Sequence, residues 1–395
     1  MAGLKFSIVT PSLNQGRFIG ETIESILSQE GDFEIEYIIQ DGGSTDESLK
    51  IIRKAAVDLE QGLRPIRCRG ITLQWESGPD RGQSEAINKG LRKATGDICC
   101  YLNSDDTFNP GALERVAREF AAHPEADFVH GDCDFIDADS RLMWEWLSRP
   151  YRYKVMASYH FLWNRFANYI VQPSTFWRRR VLERIGGFDE GFHYAMDYEY
   201  WVRAGSQGLT FRHLPVKLSN YRFIAGTKGL SSPTIFWEDS LETYRRYQGS
   251  PPLDRLLAYY YYNLALELNF DHDAVQRKFT SLFQRWQGLP AAEQKRIHAL
   301  AEKGRPRAYL LCAGHLARRG RRAEATRFYR LALQQTRSFA LHPLAFPYYL
   351  RKINFWKLAP LLERLTYAAF LVYREIRYEY RYPHKLKRIW NELTI

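Results

Sequence analysis

The chain has 395 residues, 45% of them hydrophobic and 15% aromatic, and a formal net charge of +11. That length exceeds one core of ordinary size, so two domains are expected, and the hydrophobic share excludes a largely disordered chain. The basic balance suits a polyanionic ligand or an acidic membrane surface, whereas no nucleic-acid-binding motif accompanies it and nucleic acid is not an expected partner.

Phe6–Val9 is a short apolar run that ends at Thr10-Pro11, where proline should turn the chain out of the strand. Residues 18–28 then carry Ile19, Ile23, Ile26 and Leu27 at helical spacing. Glu36–Gln40 reads as a strand stopped by Asp41-Gly42-Gly43, after which Ser44 or Thr45 can cap a helix from Asp46 toward Leu59. Ile71–Glu76, Asp97–Leu102 and Phe128–His130 read as strands, with helices at Ser84–Ala94 and Pro110–Ala122. This alternation predicts an α/β domain with a mostly parallel sheet, whose ligands sit beyond the carboxyl ends of the strands.

Past Asp134 the pattern loosens. Residues 144–166 are aromatic-rich with helical spacing in places, and Gln172–Trp177 looks like a loop entering a strand. Short helices are expected at Val181–Ile185 and Asp197–Ala204, then a strand near Val216–Phe223 and a loop at 225–233. From about Ile235 the sequence turns helical, so the expected division is 1–234 and 235–395. Residues 307–335 have the spacing of one tetratricopeptide-like helix pair, but a single copy without neighbours reads first as a plain helical subdomain. The tail at 341–395 mixes aromatics with Arg374, Arg377, Arg381, Lys385, Lys387 and Arg388, a composition suited to an anionic bilayer surface.

Five cysteines, Cys68, Cys99, Cys100, Cys133 and Cys312, form no framework and read as buried small side chains in a reducing compartment. The N-terminus lacks a signal-peptide pattern. No apolar run reaches the roughly 18–20 residues of a membrane span; the best, residues 355–373, is broken by Lys357, Glu363 and Arg364. The expected location is cytoplasmic, with peripheral attachment to the inner face of the membrane.

Four polar clusters carry the chemistry: Thr10-Pro11-Ser12-Leu13-Asn14, Asp41-Gly42-Gly43-Ser44-Thr45-Asp46, Asn103-Ser104-Asp105-Asp106 and Met196-Asp197-Tyr198-Glu199. The first three each follow an apolar strand-like run. Carboxylates delivered to one rim of a sheet can hold Mg²⁺ or Mn²⁺, which prefer oxygen ligands and act as Lewis acids on a departing diphosphate. Taken alone, Asp105-Asp106 is equally well an acidic turn before the helix that follows.

From Phe6 to about Ser232 the chain resembles a family 2 glycosyltransferase of the GT-A fold, a Rossmann-like nucleotide-diphospho-sugar transferase domain. The resemblance implies that Thr10, Pro11 and Asn14 lie beside the base and ribose, and that Asp41 accepts a hydrogen bond from the base. By the same match Asp80, Gln83 and Ser104 lie at the nucleotide, while Asn88 supports a loop. Asp105 would bind the divalent cation, with Asp106 supporting it. The first position of the usual Asp-x-Asp motif is Asn103 here, a neutral ligand at best.

Asp197 aligns with the family's base, which takes the proton from an attacking hydroxyl during inverting displacement; Glu199 is the weaker candidate. Gln172-Pro173-Ser174 would lie by the acceptor, where Trp163 and Trp177 either stack on a sugar or pack in the core. Arg222 and Lys228 would close over the diphosphate. The implied reaction moves a sugar from a nucleoside-diphosphate donor, with uracil the favoured base, to a glycan or lipid-linked hydroxyl in surface-polysaccharide or lipopolysaccharide synthesis. Two alternatives remain open on the sequence. One is a degenerate scaffold; the other is a nucleotidyltransferase, although residues 10–16 supply only one of the glycines that its phosphate loop needs.

Overall fold

The structure is a computed structural model that describes residues 3–157, 170–224, 236–249, 253–284 and 287–335. It divides into two compact units, Met1–Pro251 and Pro252–Ile395.

The first unit opens with strict alternation: β1 (Leu4–Ser12), α1 (Ile19–Leu27), β2 (Phe33–Asp41), α2 (Ser48–Glu60), β3 (Gly70–Ser77), α3 (Gln83–Lys93) and β4 (Ile98–Tyr101). The four strands run parallel in the order β3-β2-β1-β4. β1 and β2 are buried almost throughout because helices cover both faces of a parallel sheet. α3 lies close on β1, since a Cβ at Gly90 would sit 2.4 Å from Val9 Cγ1.

β1 runs on through Pro11, two residues past the expected stop. Its Val9 carbonyl accepts from the Leu102 amide on the β4 side. By strand alternation Pro11 faces that same side, where β4 has already ended opposite Val9, so the missing N–H costs no ladder bond.

The second half of this unit adds β5 (Thr107–Phe108), α4 (Ala112–Ala122), β6 (Phe128–Ile136), β7 (Leu142–Trp146), α5 (Tyr153–Met156), a 3₁₀ turn at Gln172–Ser174 and β8 (Thr175–Arg178). It closes with α6 (Arg179–Ile185), α7 (Met196–Ser206), β9 (Phe211–Arg222) and α8 (Trp237–Gln248). The sheet continues as β4-β8-β6-β9-β5 with β7 on β6, and here antiparallel pairs mix with the parallel β6–β9 pair. The sheet is therefore parallel in its first half and mixed in its second.

Two departures from the sequence reading lie here. Residues 142–146 form a strand, which takes in the start of the 144–166 stretch read as helically spaced in places: Trp144 pairs across from Phe135 and Trp146 from Cys133. The division of the chain also falls after α8 rather than at 234. α8 is tied to the first unit by Asp239, whose carboxylate accepts the Tyr194 and Ala195 amides before α7, and by the Arg246–Asp189 ion pair of 2.6 Å.

The second unit, as far as it is described, is helical: α9 (Leu253–Glu267), α10 (His272–Gln284), α11 (Ala291–Arg318) and α12 (Arg322–Gln335). Leu257, Tyr261, Leu264, Phe279, Leu310, Cys312, Leu316 and Phe328 form its core. α11 and α12 span the expected helix pair. The basic aromatic tail at 341–395 lies outside the described residues. No described helix is long and apolar enough to cross a membrane. Cys99, Cys100, Cys133 and Cys312 are buried free thiols pushed up by burial.

Candidate active site

The carboxyl ends of β1, β2 and β4 share one rim, and three clusters emerge there. The loop after β2 is built on hydrogen bonds to its own carboxylates. Asp41, 3% exposed, accepts from the Gly43 amide at 3.0 Å, the Ser44 amide at 2.8 Å, the Ser44 hydroxyl and the Ser77 hydroxyl at 2.7 Å. Ser77 comes from β3, in register with Asp41. Gly43 takes φ +90°, a conformation glycine adopts without strain. Asn14 ties the β1 loop to this one: its amide donates to Ser44 Oγ and its Oδ1 accepts from the Thr45 amide. Asp46 is exposed and accepts from the Gly16 and Ser48 amides. Burial opposes its charge, but these hydrogen bonds outweigh burial and hold the carboxyl below its ordinary range.

The loop after β4 is built differently. Asp106 is 1% exposed; its Oδ1 accepts from the Arg222 amide at 2.8 Å and its Oδ2 from Asn103 Nδ2 at 3.2 Å. Burial pushes Asp105 up; burial and then the neighbouring Asp105 charge push Asp106 well up. Asn103 is the hub of the loop. Its Oδ1 accepts from Gln83 Nε2 at 2.7 Å, and its Nδ2 donates to Asp106 and to Gln172 Oε1. Gln172 in turn donates to the Tyr101 carbonyl at 2.7 Å. An aspartate at position 103 would face two acceptors and lose both donor bonds.

α3 brings α7 to this loop. Gln83 and Ser84 are its first two residues. Gln83 reaches Asn103, and the Ser84 hydroxyl reaches Met196 Sδ at 2.7 Å, one residue before Asp197. Asn88 exchanges bonds with the Phe188 carbonyl and amide, fixing the chain that leads into α7. Asp197, half-buried in the first turn of α7, accepts from the Tyr198 amide at 2.7 Å.

The carboxylates converge on two tyrosines. Burial raises Tyr221, and the charges of Asp106, Asp105 and Asp197 raise it further. Burial likewise raises Tyr101, followed by Asp197 and Asp106.

A family model described as glycosyl transferase family group 2 matches residues 98–372, and one described as glycosyl transferase family 2 matches residues 7–186. The chain belongs to the family 2 glycosyltransferases. It is 28% identical over 237 residues to a PGL/p-HBAD biosynthesis glycosyltransferase of Mycobacterium bovis, covering 57% of this chain and 80% of that one. It is also 28% identical over 219 residues to an O-antigen biosynthesis protein of Myxococcus xanthus, covering 55% of this chain and 16% of that one. The crystal structure of TarS from S. aureus matches with a TM-score of 0.49 and 19% identity, covering 83% of this chain and 55% of TarS.

In this transferase the site residues read from the sequence fall into three groups. Asp41, Asn14, Asp80 and Pro11 sit at the rim beside the β2 loop. Asp80 packs over Gly42, where a Cβ would lie 2.7 Å from its Oδ2. Gln83, Ser104, Asp105 and Asp197 belong to the group around the β4 loop. Ser104 is buried.

Of the remaining residues, the described ones are not where a ligand could use them. Thr10 is fully buried, with its hydroxyl on that of Tyr37, because β1 carries it beneath the rim. Arg222 does not close over a diphosphate; its side chain has no exposed surface. Its guanidinium donates to the Asp105 carbonyl, the Asp137 carbonyl, Ser140 Oγ and Glu21 Oε2, and lies 4.7 Å over the Phe18 ring. Asp106 has both oxygens engaged and serves as a strut. Glu199 is buried and held by Arg203 and Tyr247. Trp177 lies in the core against Phe128, Phe188 and Tyr200. Trp163 and Lys228 lie outside the described residues.

The donor set fits a divalent cation through one carboxylate. Mg²⁺ and Mn²⁺ bind by one or two carboxylates plus substrate phosphates, and Asp105 offers that carboxylate, half-buried and destabilised in its charged form. No cluster of three or more His, Cys, Asp or Glu exists among the described residues. Sequence reasoning missed Ser77, Glu21 and Asp239, which hold Asp41, Arg222 and the start of α7. Of these only Ser77 carried a signal, as the last residue of a strand neighbouring β2.

Proposed function

We propose that this transferase moves a sugar from a nucleoside-diphosphate sugar, UDP-linked by preference, to a hydroxyl of a glycan or lipid-linked acceptor, with inversion. The observation that carries the reading is the joining of the β4 loop to the start of α7: Gln83 bonds Asn103, and its neighbour Ser84 bonds Met196, next to Asp197. Asp41 and Asn14 brace the β2 loop, and that loop holds the nucleoside end. Asp105 would hold a divalent cation, which would neutralise the departing diphosphate. Asp197, anchored at the start of α7, takes the proton from the acceptor hydroxyl. The curated relatives include proteins named for PGL/p-HBAD and O-antigen biosynthesis, which supports a role in surface-glycan synthesis. That setting places the enzyme at the cytoplasmic face of a membrane, with the basic tail at 341–395 as the attachment.

The test is release of nucleoside diphosphate from a panel of UDP- and GDP-sugars, with and without Mn²⁺. Asp197→Asn is expected to lower turnover by about 10²–10⁴-fold while nucleotide affinity stays unchanged. Full turnover in that variant removes Asp197 as the base, and release of pyrophosphate instead of nucleoside diphosphate replaces the reaction class.

A further inference from the structure

The outer half of the mixed sheet carries an aromatic row that the reaction as described does not use. Register places Tyr221 of β9, Phe135 of β6 and Trp144 of β7 side by side on one face. Phe135 and Trp144 stack at 4.8 Å, Phe135 and Tyr221 lie at 4.9 Å, and Phe223 meets Trp144 edge-on at 5.1 Å. The opposite face of the same strands is charged, with Lys217 paired to Asp134 and Glu145. Trp144 closes the row and is 37% exposed. Among the described residues β7 pairs with β6 alone. Its large apolar side chains Leu142 and Met143 are exposed as well, an arrangement that edge strands generally avoid.

The row is continuous with the active site. Tyr221 immediately precedes Arg222 on β9, and the Arg222 amide donates to Asp106 of the β4 loop at 2.8 Å. The β6–β7 turn is fastened to the β4 loop by a single buried guanidinium: Arg222 donates both to the Asp105 carbonyl and to Asp137 and Ser140 of that turn. The platform is thereby held at a set distance from the carboxylates. Three adjacent strands span about 10 Å, enough to extend beyond the ring that reacts.

We propose that Tyr221, Phe135, Trp144 and Phe223 form an acceptor subsite that takes a sugar ring of a glycan. The proposal rests on Asp197 as the base and adds the acceptor's chemical class. A pyranose has an apolar C–H face that suits an aromatic ring and hydroxyls that suit carboxylates. The row offers both, the part-exposed indole of Trp144 at its outer end and acids at its inner end. An acyl chain would be served equally by the aliphatic side chains that line lipid grooves and would gain nothing from the acidic end.

The experiment measures binding of the full-length chain to a printed array of bacterial oligosaccharides, in UDP and in GDP, beside Trp144→Leu and Trp144→Phe. Leucine keeps the apolar area and removes the ring. The expected result is a fall of about tenfold in array signal for Trp144→Leu, near what one aromatic stacking contact supplies, and recovery in Trp144→Phe. Nucleotide affinity and melting temperature should stay at wild-type values in both. Undiminished signal in Trp144→Leu overturns the subsite. So does a wild type that binds no glycan, or one captured instead by phosphatidylglycerol–phosphatidylethanolamine vesicles with equal strength in Trp144→Leu. Failure of the transferase reading looks different: neither nucleotide binds, whatever stands at position 144.

Discussion

The loops after β2 and β4 both deliver aspartates to the same rim, and they treat them in opposite ways. Around Asp41 the protein supplies four donors to one carboxylate, all from neutral groups, and the nearby Asp46 is held below its ordinary range. Around Asp105 and Asp106 burial pushes both carboxyls up, and Arg222, though fully buried behind them, sends its guanidinium to carbonyls, a hydroxyl and Glu21 rather than to either aspartate side chain. The contrast teaches that the first loop is a finished acceptor geometry, complete without a ligand. The second, on the function proposed above, would be completed by a divalent cation at Asp105.

Breaking the strut behind the second loop should have the largest effect. Arg222→Met leaves the Asp105 and Asp137 carbonyls without their donor and is expected to cost about 3 kcal/mol of stability, read as a fall in the denaturant midpoint. An unchanged midpoint would show that the loop holds itself. Asp105→Asn should next lower turnover by about 10²–10³-fold, the usual cost of one preorganised electrostatic group. It should also abolish any rise in melting temperature on adding Mn²⁺, whereas Asp41→Asn should leave that rise in place.

Asn103→Asp sharpens the comparison, because it restores the family's usual motif at the expense of the hub. Loss of two donor bonds should destabilise the fold by about 1–3 kcal/mol, and titration with Mn²⁺ should show no gain in affinity; a tighter site would make Asn103 a weakened ligand after all. The smallest effect is at Asp46. Its folded pKa is depressed, so its contribution to stability is present above the unfolded pKa and is lost as pH falls through the folded value. The stability difference between wild type and Asp46→Asn should therefore shrink on acidification below the usual carboxylate range, measured by chemical denaturation across pH.

The parallel half of the sheet was legible because each strand and helix announces itself within about ten residues. β7 was not, since it is defined by Trp144 and Trp146 standing opposite Phe135 and Cys133 across a turn. What the sequence did not show of α8 was the unit it belongs to, because its Asp239 and Tyr247 act on residues 44 and 48 positions away.

By itself the sequence determined the family, the alternating core and the polar identity of the rim loops, since hydrogen bonds such as Ser44 to Asp41 join near neighbours. Tertiary structure alone decided what Arg222 and Asn103 do. Arg222 meets Glu21 across 201 positions and Asn103 meets Gln172 across 69. Whether a polar side chain faces a ligand or braces a loop depends on which distant groups the folded chain sets beside it.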